Sequence, residues 1–180
     1  MIPDRGDVLL AIARSAISRV FAVRHEVDET LPWLADPGAC FVTLTQHGEL
    51  RGCIGTLEAH RTLLQDVKSN AVAAAFRDPR FSPLSHDELP HIAVEVSLLT
   101  PPRPMTFRDE KHALEQLRPN EDGVIFQFAH YRSTFLPQVW EQLPTPRQFM
   151  AHLKYKAGLP TDFWSPEVLL SRYTVEKWKE

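Results

Sequence analysis

The six residues Arg51-Gly52-Cys53-Ile54-Gly55-Thr56 put a thiol, a guanidinium and two glycines into one short stretch. Glycines let backbone amides face a ligand with no side chain in the way. Residues two apart on a strand project on the same face, which sets Arg51 beside Cys53. A guanidinium close to a thiol favours the thiolate and lowers its pKa. On this reading Cys53 is a nucleophile or ligand contact and Arg51 holds an anion. Gly52, Gly55 and Thr56 complete the ligand-binding turn. The plainer reading makes Cys53 a small buried thiol filling space under a glycine-rich bulge, as inert cysteines commonly do.

Two further segments carry groups of the same kind. In Ala75-Phe76-Arg77-Asp78-Pro79-Arg80-Phe81-Ser82-Pro83, Arg80 suits bidentate contact with an anionic group, and Asp78 completes the binding set. The bland alternative is a loop ion pair between Asp78 and Arg80, with Phe81 as a core anchor. Glu95 is a candidate acid or base, opposed by the reading of a solvent-exposed strand carboxylate. If Arg51-Gly52-Cys53, Asp78-Pro79-Arg80 and Glu95 form one site, the fold must bring three distant segments into one pocket. The sequence shows no GxGxxG, no P-loop, no HExxH and no CxxC. Its eight histidines are scattered. We therefore expect no cofactor and no metal site.

The elements that position these residues are legible from spacing. Val8, Leu9, Ile12, Ala13, Ala16, Ile17, Val20 and Phe21 form the apolar stripe of a first helix, capped by Asp4 or Asp7. Cys40 to Thr45 reads as a strand, His47-Gly48 as a turn and Leu50 to Ile54 as the partner strand. Gly52 inside that strand predicts a bulge or a close backbone approach. Thr62-Leu63-Leu64-Gln65 is a capping box that opens a second helix. A proline-rich loop from Asp78 to Pro90 holds one helical turn capped by Ser85 and Glu88. Ile92, Val94, Val96 and Leu98 alternate along a half-buried strand. Asp109 to Leu117 is helical, Gly123 to Ala129 is a strand, and Pro137 opens a short helix. Thr145-Pro146-Arg147-Gln148 caps a helix that stops at Gly158. Leu169 to Trp178 forms a last strand or a docked extension. The expected class is α+β: a mostly antiparallel or mixed sheet with packed helices, one domain with two unequal lobes. It covers residues 1–180, with a small lobe at about 101–122.

A chain of 180 residues with 43% hydrophobic and 24% charged residues is long enough to bury a core as one domain. Its net charge of −3 and lack of a basic stripe argue against a nucleic-acid partner. No apolar run is long enough to span a membrane, and the polar start is unlike a secretory leader. The two cysteines, Cys40 and Cys53, are accordingly read as reduced thiols in a cytoplasmic protein.

Phe41-Val42-Thr43-Leu44 followed by Leu50-Arg51-Gly52-Cys53-Ile54-Gly55-Thr56 closely resembles the signature of the AMMECR-type domain. Three blocks agree in order: Asp78 to Leu84, Ile92 to Pro101, and Thr134 to Glu141. Lys156-Ala157-Gly158-Leu159 and Ser171 to Val175 also fit, so the resemblance spans nearly the whole chain. The bacterial branch it looks most like is the one called AmmeMemoRadiSam system protein A. The resemblance implies an α+β fold of two unequal lobes with the glycine-cysteine motif at a cleft. It implies association with a Memo-like protein and a radical-SAM protein, and no settled activity. Radical-SAM chemistry would belong to the partner, since this chain has no CxxxCxxC. His130 stands where the family usually has a small residue, and a Cys53–His130 pair would suit nucleophilic catalysis. Two functions are expected in parallel: an enzyme or enzyme component acting on a small anionic molecule, or a non-catalytic binding or adaptor module for those partners.

Overall fold

Asp4 sets the start of the first helix. In the computed structural model, which describes residues 2–180, its carboxylate accepts the Gly6 amide at 2.7 Å, and α1 runs Arg5–Val20. A carboxylate here satisfies an otherwise orphaned amide and suits the positive end of the helix. The rest of the chain forms two units. One comprises residues up to Leu99 with Glu176–Glu180, and the other Thr100–Val175. The segment 101–122, expected as a small lobe, lies within the second unit, which continues to Val175.

The first unit is a sheet with helices on one face. β1 (Ala39–Gln46) and β2 (Glu49–Gly55) form the expected hairpin. His47 and Gly48 both take positive φ, 53° and 82°, as a tight hairpin turn requires. The register runs Leu44 to Gly52 and then Thr45 to Leu50, which leaves Arg51 as the extra residue of a β-bulge. α2 (Leu63–Phe76) opens with the full Thr62–Gln65 capping box. A 3-10 turn, His86–His91, carries the second box, Ser85 with Glu88, and leads into β3 (Ile92–Leu99). The strand order is β2-β1-β3-β8, where β8 is Val175–Lys179. Val42, Leu44, Val94 and Val96 are fully buried and share one core with Leu9, Ile12 and Ile17 of α1 and Val67 and Ala71 of α2. The tail is tied back by Glu180, whose carboxylate takes the Val94 amide at 2.8 Å and the Arg14 guanidinium at 2.6 Å.

The second unit is a second sheet, ordered β4-β7-β5-β6. Its strands are β4 (Arg103–Pro104), β5 (Gly123–Phe128), β6 (Tyr131–Phe135) and β7 (Leu169–Tyr173). α3 (Glu110–Gln116) starts on the Asp109 cap, and α4 (Pro146–Ala157) ends on Gly158 at φ 99°. Val124, Phe126, Trp140, Phe149 and Leu153 make its core, and the Trp140 indole donates to the Asp122 carbonyl at 2.7 Å. The tail, expected as a last strand or a docked extension, is two strands, because the chain leaves β7 at Thr174 and joins the first sheet as β8. Among the described residues no helix is long and apolar enough to cross a membrane.

Candidate functional site

Cys53 lies on β2, at the edge of its sheet. It pairs with Thr43, and the Thr43 hydroxyl is 3.3 Å from its thiol. Its backbone is bonded outside the sheet. The Cys53 amide donates to Asp78 at 3.0 Å, and its carbonyl accepts from the Arg80 guanidinium at 3.5 Å. The Asp78-Pro79-Arg80 loop thus stands where a further strand would, and satisfies an edge residue that would otherwise be open.

Asp78 is the hub of this arrangement. α2 ends at Phe76, and Asp78 turns the chain by accepting the Arg80 amide at 3.1 Å, a local bond aspartate makes readily. The same carboxylate takes Arg80 Nε at 3.0 Å and Nη2 at 2.7 Å. Its side chain is 2% exposed, whereas that of Arg80 is 55% exposed. The Arg80 guanidinium, helped by the Cys53 and Arg80 amides and opposed by burial, holds the Asp78 carboxyl well below its ordinary range. The Cys53 backbone, the buried carboxylate and the exposed guanidinium are therefore tied together by hydrogen bonds.

Arg51 meets a different partner. Its guanidinium forks onto Glu88, with Nε at 2.8 Å and Nη2 at 3.1 Å, a bidentate geometry. Its remaining Nη1 is buried with no hydrogen-bond partner among the described residues. Phe81 bridges the two arginines: Arg51 Cζ lies 5.9 Å and Arg80 Cζ 5.5 Å from its ring centroid. Glu88 is held by Arg51 first and by the Ser85 amide next, which brings its pKa from an ordinary 4.5 down to about 2. A carboxylate depressed on folding stabilises the fold above its unfolded pKa and loses that contribution as pH falls through the folded value. Stability should therefore decline between about pH 4.5 and about pH 2. Glu88→Gln should remove part of that decline in denaturant melts run across this range. Parallel pH profiles for variant and parent would show that the ion pair contributes nothing.

The other expected positions divide. Glu95 is half-buried and shares a row with Cys53, because Thr43 pairs with Cys53 on one side and Glu95 on the other. Gly52 faces away from this row. A Cβ there would collide with the Ala74 carbonyl oxygen of α2, so the residue is glycine because a helix passes over it. Its φ lies outside the positive region, and close approach rather than unusual backbone is the reason. Gly55 sits under the Phe41 ring. Thr56 is committed to a buried network, donating to Asp66 at 2.7 Å and accepting from Asn70 at 3.1 Å. His130 belongs to the second unit, where its ring centroid is 4.1 Å from that of Tyr131. Sequence reasoning passed over three contributors: Thr43, Phe81 as a bridge, and Glu88 as the partner of Arg51. Glu88 carried a signal, since its place in a capping box already fixed it at the start of a turn. The pairing with a residue 37 positions away carried none.

The two thiols differ. Cys40 is buried, and burial, reinforced by the nearby Asp66 carboxylate, pushes its thiol well above the ordinary range. Cys53 is only half-buried. Iodoacetamide at neutral pH should therefore modify Cys53 at least about tenfold faster than Cys40 in the native protein, since reactivity follows thiolate content and access. Equal rates, or faster Cys40, would remove Cys53 as a chemically available group.

The chain matches known proteins over most of their own length. The AMMECR1 family pattern matches residues 10–178. A protein of Methanocaldococcus jannaschii is 36% identical over 186 residues, covering 98% of this chain and 90% of its own. One from Thermotoga maritima is 40% identical over 158 residues, covering 86% of each. The crystal structure of an uncharacterized protein from Pyrococcus horikoshii is similar at TM-score 0.77 and 32% identity, covering 99% of this chain and 93% of that one.

Proposed function

The chain belongs to the AMMECR1 family, and from that premise we propose that it binds a small anionic molecule at Cys53, as an enzyme or as a component of one. One observation carries the proposal. The Asp78 carboxylate bonds the Cys53 amide and the Arg80 guanidinium together, so a buried group ties the backbone of a residue with a half-buried thiol to an exposed cation. Arg80 spends Nε and Nη2 on Asp78 and keeps Nη1 for an incoming acceptor. Thr43 and Glu95, in the same row, supply a hydroxyl and a carboxylate for proton transfer. Arg51 and Phe81 wall the site rather than grip the anion, because Glu88 already neutralises Arg51.

Within this reading the chain is of the branch called AmmeMemoRadiSam system protein A, and it works with a Memo-like protein and a radical-SAM protein. Any radical step is the partner's. A second reading has one observation in its favour: both guanidiniums are already matched by carboxylates. A site without surplus charge also suits an adaptor that presents this face to its protein partners.

Metabolite capture from a cell extract separates the two. The intact protein should retain an anionic compound. Cys53→Ala and Arg80→Gln, each folded by circular dichroism, should lose about tenfold or more of that retention, the usual range for a charged hydrogen bond. Retention of nothing, or of compounds equally held by both variants, would leave the adaptor reading standing and the ligand site rejected.

A further inference from the structure

The expectation of no metal site rests on spacing along the chain, where the eight histidines are scattered. The fold brings two of them together. β1 and β3 pair as far as Gln46 and Ile92, so His47 and His91 follow on the next rung. Their ring centroids are 5.8 Å apart, with the ring planes at 36°. Both residues are exposed, and neither imidazole makes a hydrogen bond or an ion pair among the described residues. We propose that His47 and His91 bind one divalent transition-metal ion of the zinc, nickel and copper group, with water in its remaining positions.

The spacing suits a shared ion. Metal–nitrogen bonds of about 2.0–2.1 Å place each ring centroid roughly 3 Å from the metal. Two such rings lie roughly 4.5 Å apart when they meet the ion at a right angle, and about 6 Å apart when nearly opposed. The observed separation falls between these limits, so small side-chain rotations bring one nitrogen of each ring to the ion. Exposed side chains make such rotations readily. Imidazole favours zinc, nickel and copper, whereas magnesium, calcium and manganese favour oxygen ligands. Among the described residues no third histidine, cysteine or carboxylate completes a set of three. The site is therefore open to solvent and selects its metal by ligand type rather than by enclosure.

Both backbones are set before any ion arrives. His47 and Gly48 hold the positive φ values of a tight turn. His91 ends the 3-10 turn, and the Arg14 guanidinium fixes the chain on either side of it. Arg14 donates to the Leu89 carbonyl at 3.0 Å and to the Ile92 carbonyl at 2.8 Å. Only side-chain torsions remain to be ordered, which favours binding. The ion joins the hairpin tip to the turn that carries Glu88, and Glu88 holds Arg51 of β2. A ligand that binds the native pair stabilises the native chain. Cys53 pairs with Thr43, four residues back along β1 and roughly 13 Å away by strand rise. Its thiol is no ligand of this ion, so the two proposals stand or fall separately.

The test titrates the untagged, nitrogen-15-labelled full chain with Ni²⁺, and the unlabelled chain with Zn²⁺ and Mg²⁺. Paramagnetic Ni²⁺ should broaden the amide resonances of residues 46–49, His91 and Ile92 before any others. Zn²⁺ should bind in a saturable calorimetric step and raise the melting midpoint, and Mg²⁺ should do neither. His47→Gln and His91→Gln should each weaken Zn²⁺ binding about tenfold or more and remove the rise in midpoint, since each deletes one of two ligands. Both positions are exposed, so without metal each variant should melt like the parent. His152→Gln, at an exposed position of the second unit, should leave the Zn²⁺ affinity unchanged. Broadening centred on other residues would overturn the proposal. So would a Zn²⁺ affinity that survives either variant, equal binding of Mg²⁺, or no saturable binding by a chain whose melt is normal.

Discussion

Gly52→Val should cost about 3 kcal/mol or more in a denaturant melt, a large share of the ~5–15 kcal/mol typical of a domain. The Cβ would enter the Ala74 carbonyl oxygen, which is backbone of α2 and cannot rotate aside. Relief requires the helix to lift from the sheet, and α2 carries Val67, Ala71 and Ala74 into the core of the first unit. Gly52→Ala separates this cause from strand propensity. Valine is the better strand residue, so propensity alone would make it milder than alanine. Overpacking makes both costly, and valine the worse. Ser82→Ala, on the exposed proline-rich loop, should fall within about 0.5 kcal/mol of the parent. A Gly52→Val protein as stable as Ser82→Ala would mean that α2 does not hold its place over β2.

What the sequence made legible follows from the range of the interactions. The Thr62–Gln65 box, the Asp109 cap and the Gly158 stop are local, each settled within a few residues, and each is found where its residue types put it. The alternation of Val94 and Val96 with Glu95 identified which side of β3 faces the core. The partners of the charged groups were not legible. Spacing sets Arg51 beside Cys53 as an anion holder, but a bulge makes it the unpaired residue of β2, and Glu88 takes it. The hairpin register, which the spacing alone leaves open by one residue, decides that outcome. The motif puts Thr56 in a ligand-binding turn, but Asp66 and Asn70 from α2 bond its hydroxyl. Asp78 and Arg80 were legible as a pair. Their grip on the edge of β2 depends on how α2 returns the chain to that edge, which is a tertiary fact.

That grip yields the second large effect. Asp78→Ala should cost about 3 kcal/mol, and Arg80→Ala distinctly less. The asymmetry comes from burial. Asp78 is 2% exposed and accepts four hydrogen bonds, from the Cys53 amide, the Arg80 amide and two guanidinium nitrogens. Its loss leaves two backbone amides unpaired in a shielded place. Arg80 is half in water, and its removal opens the Asp78 carboxylate to solvent while the Cys53 amide keeps its bond. Alkylation of Cys53 reports the same geometry without a melt. In Asp78→Ala the edge of β2 is free to fray, and iodoacetamide should reach Cys53 several-fold faster than in the parent, whereas Arg80→Ala should change the rate less. In a double-mutant cycle the two substitutions should couple, because they share a bond. Equal costs for the two single variants would mean that the exposed ion pair, rather than the buried cap on Cys53, is what the loop contributes. The thiol's position would then be set by β1 alone, through Thr43.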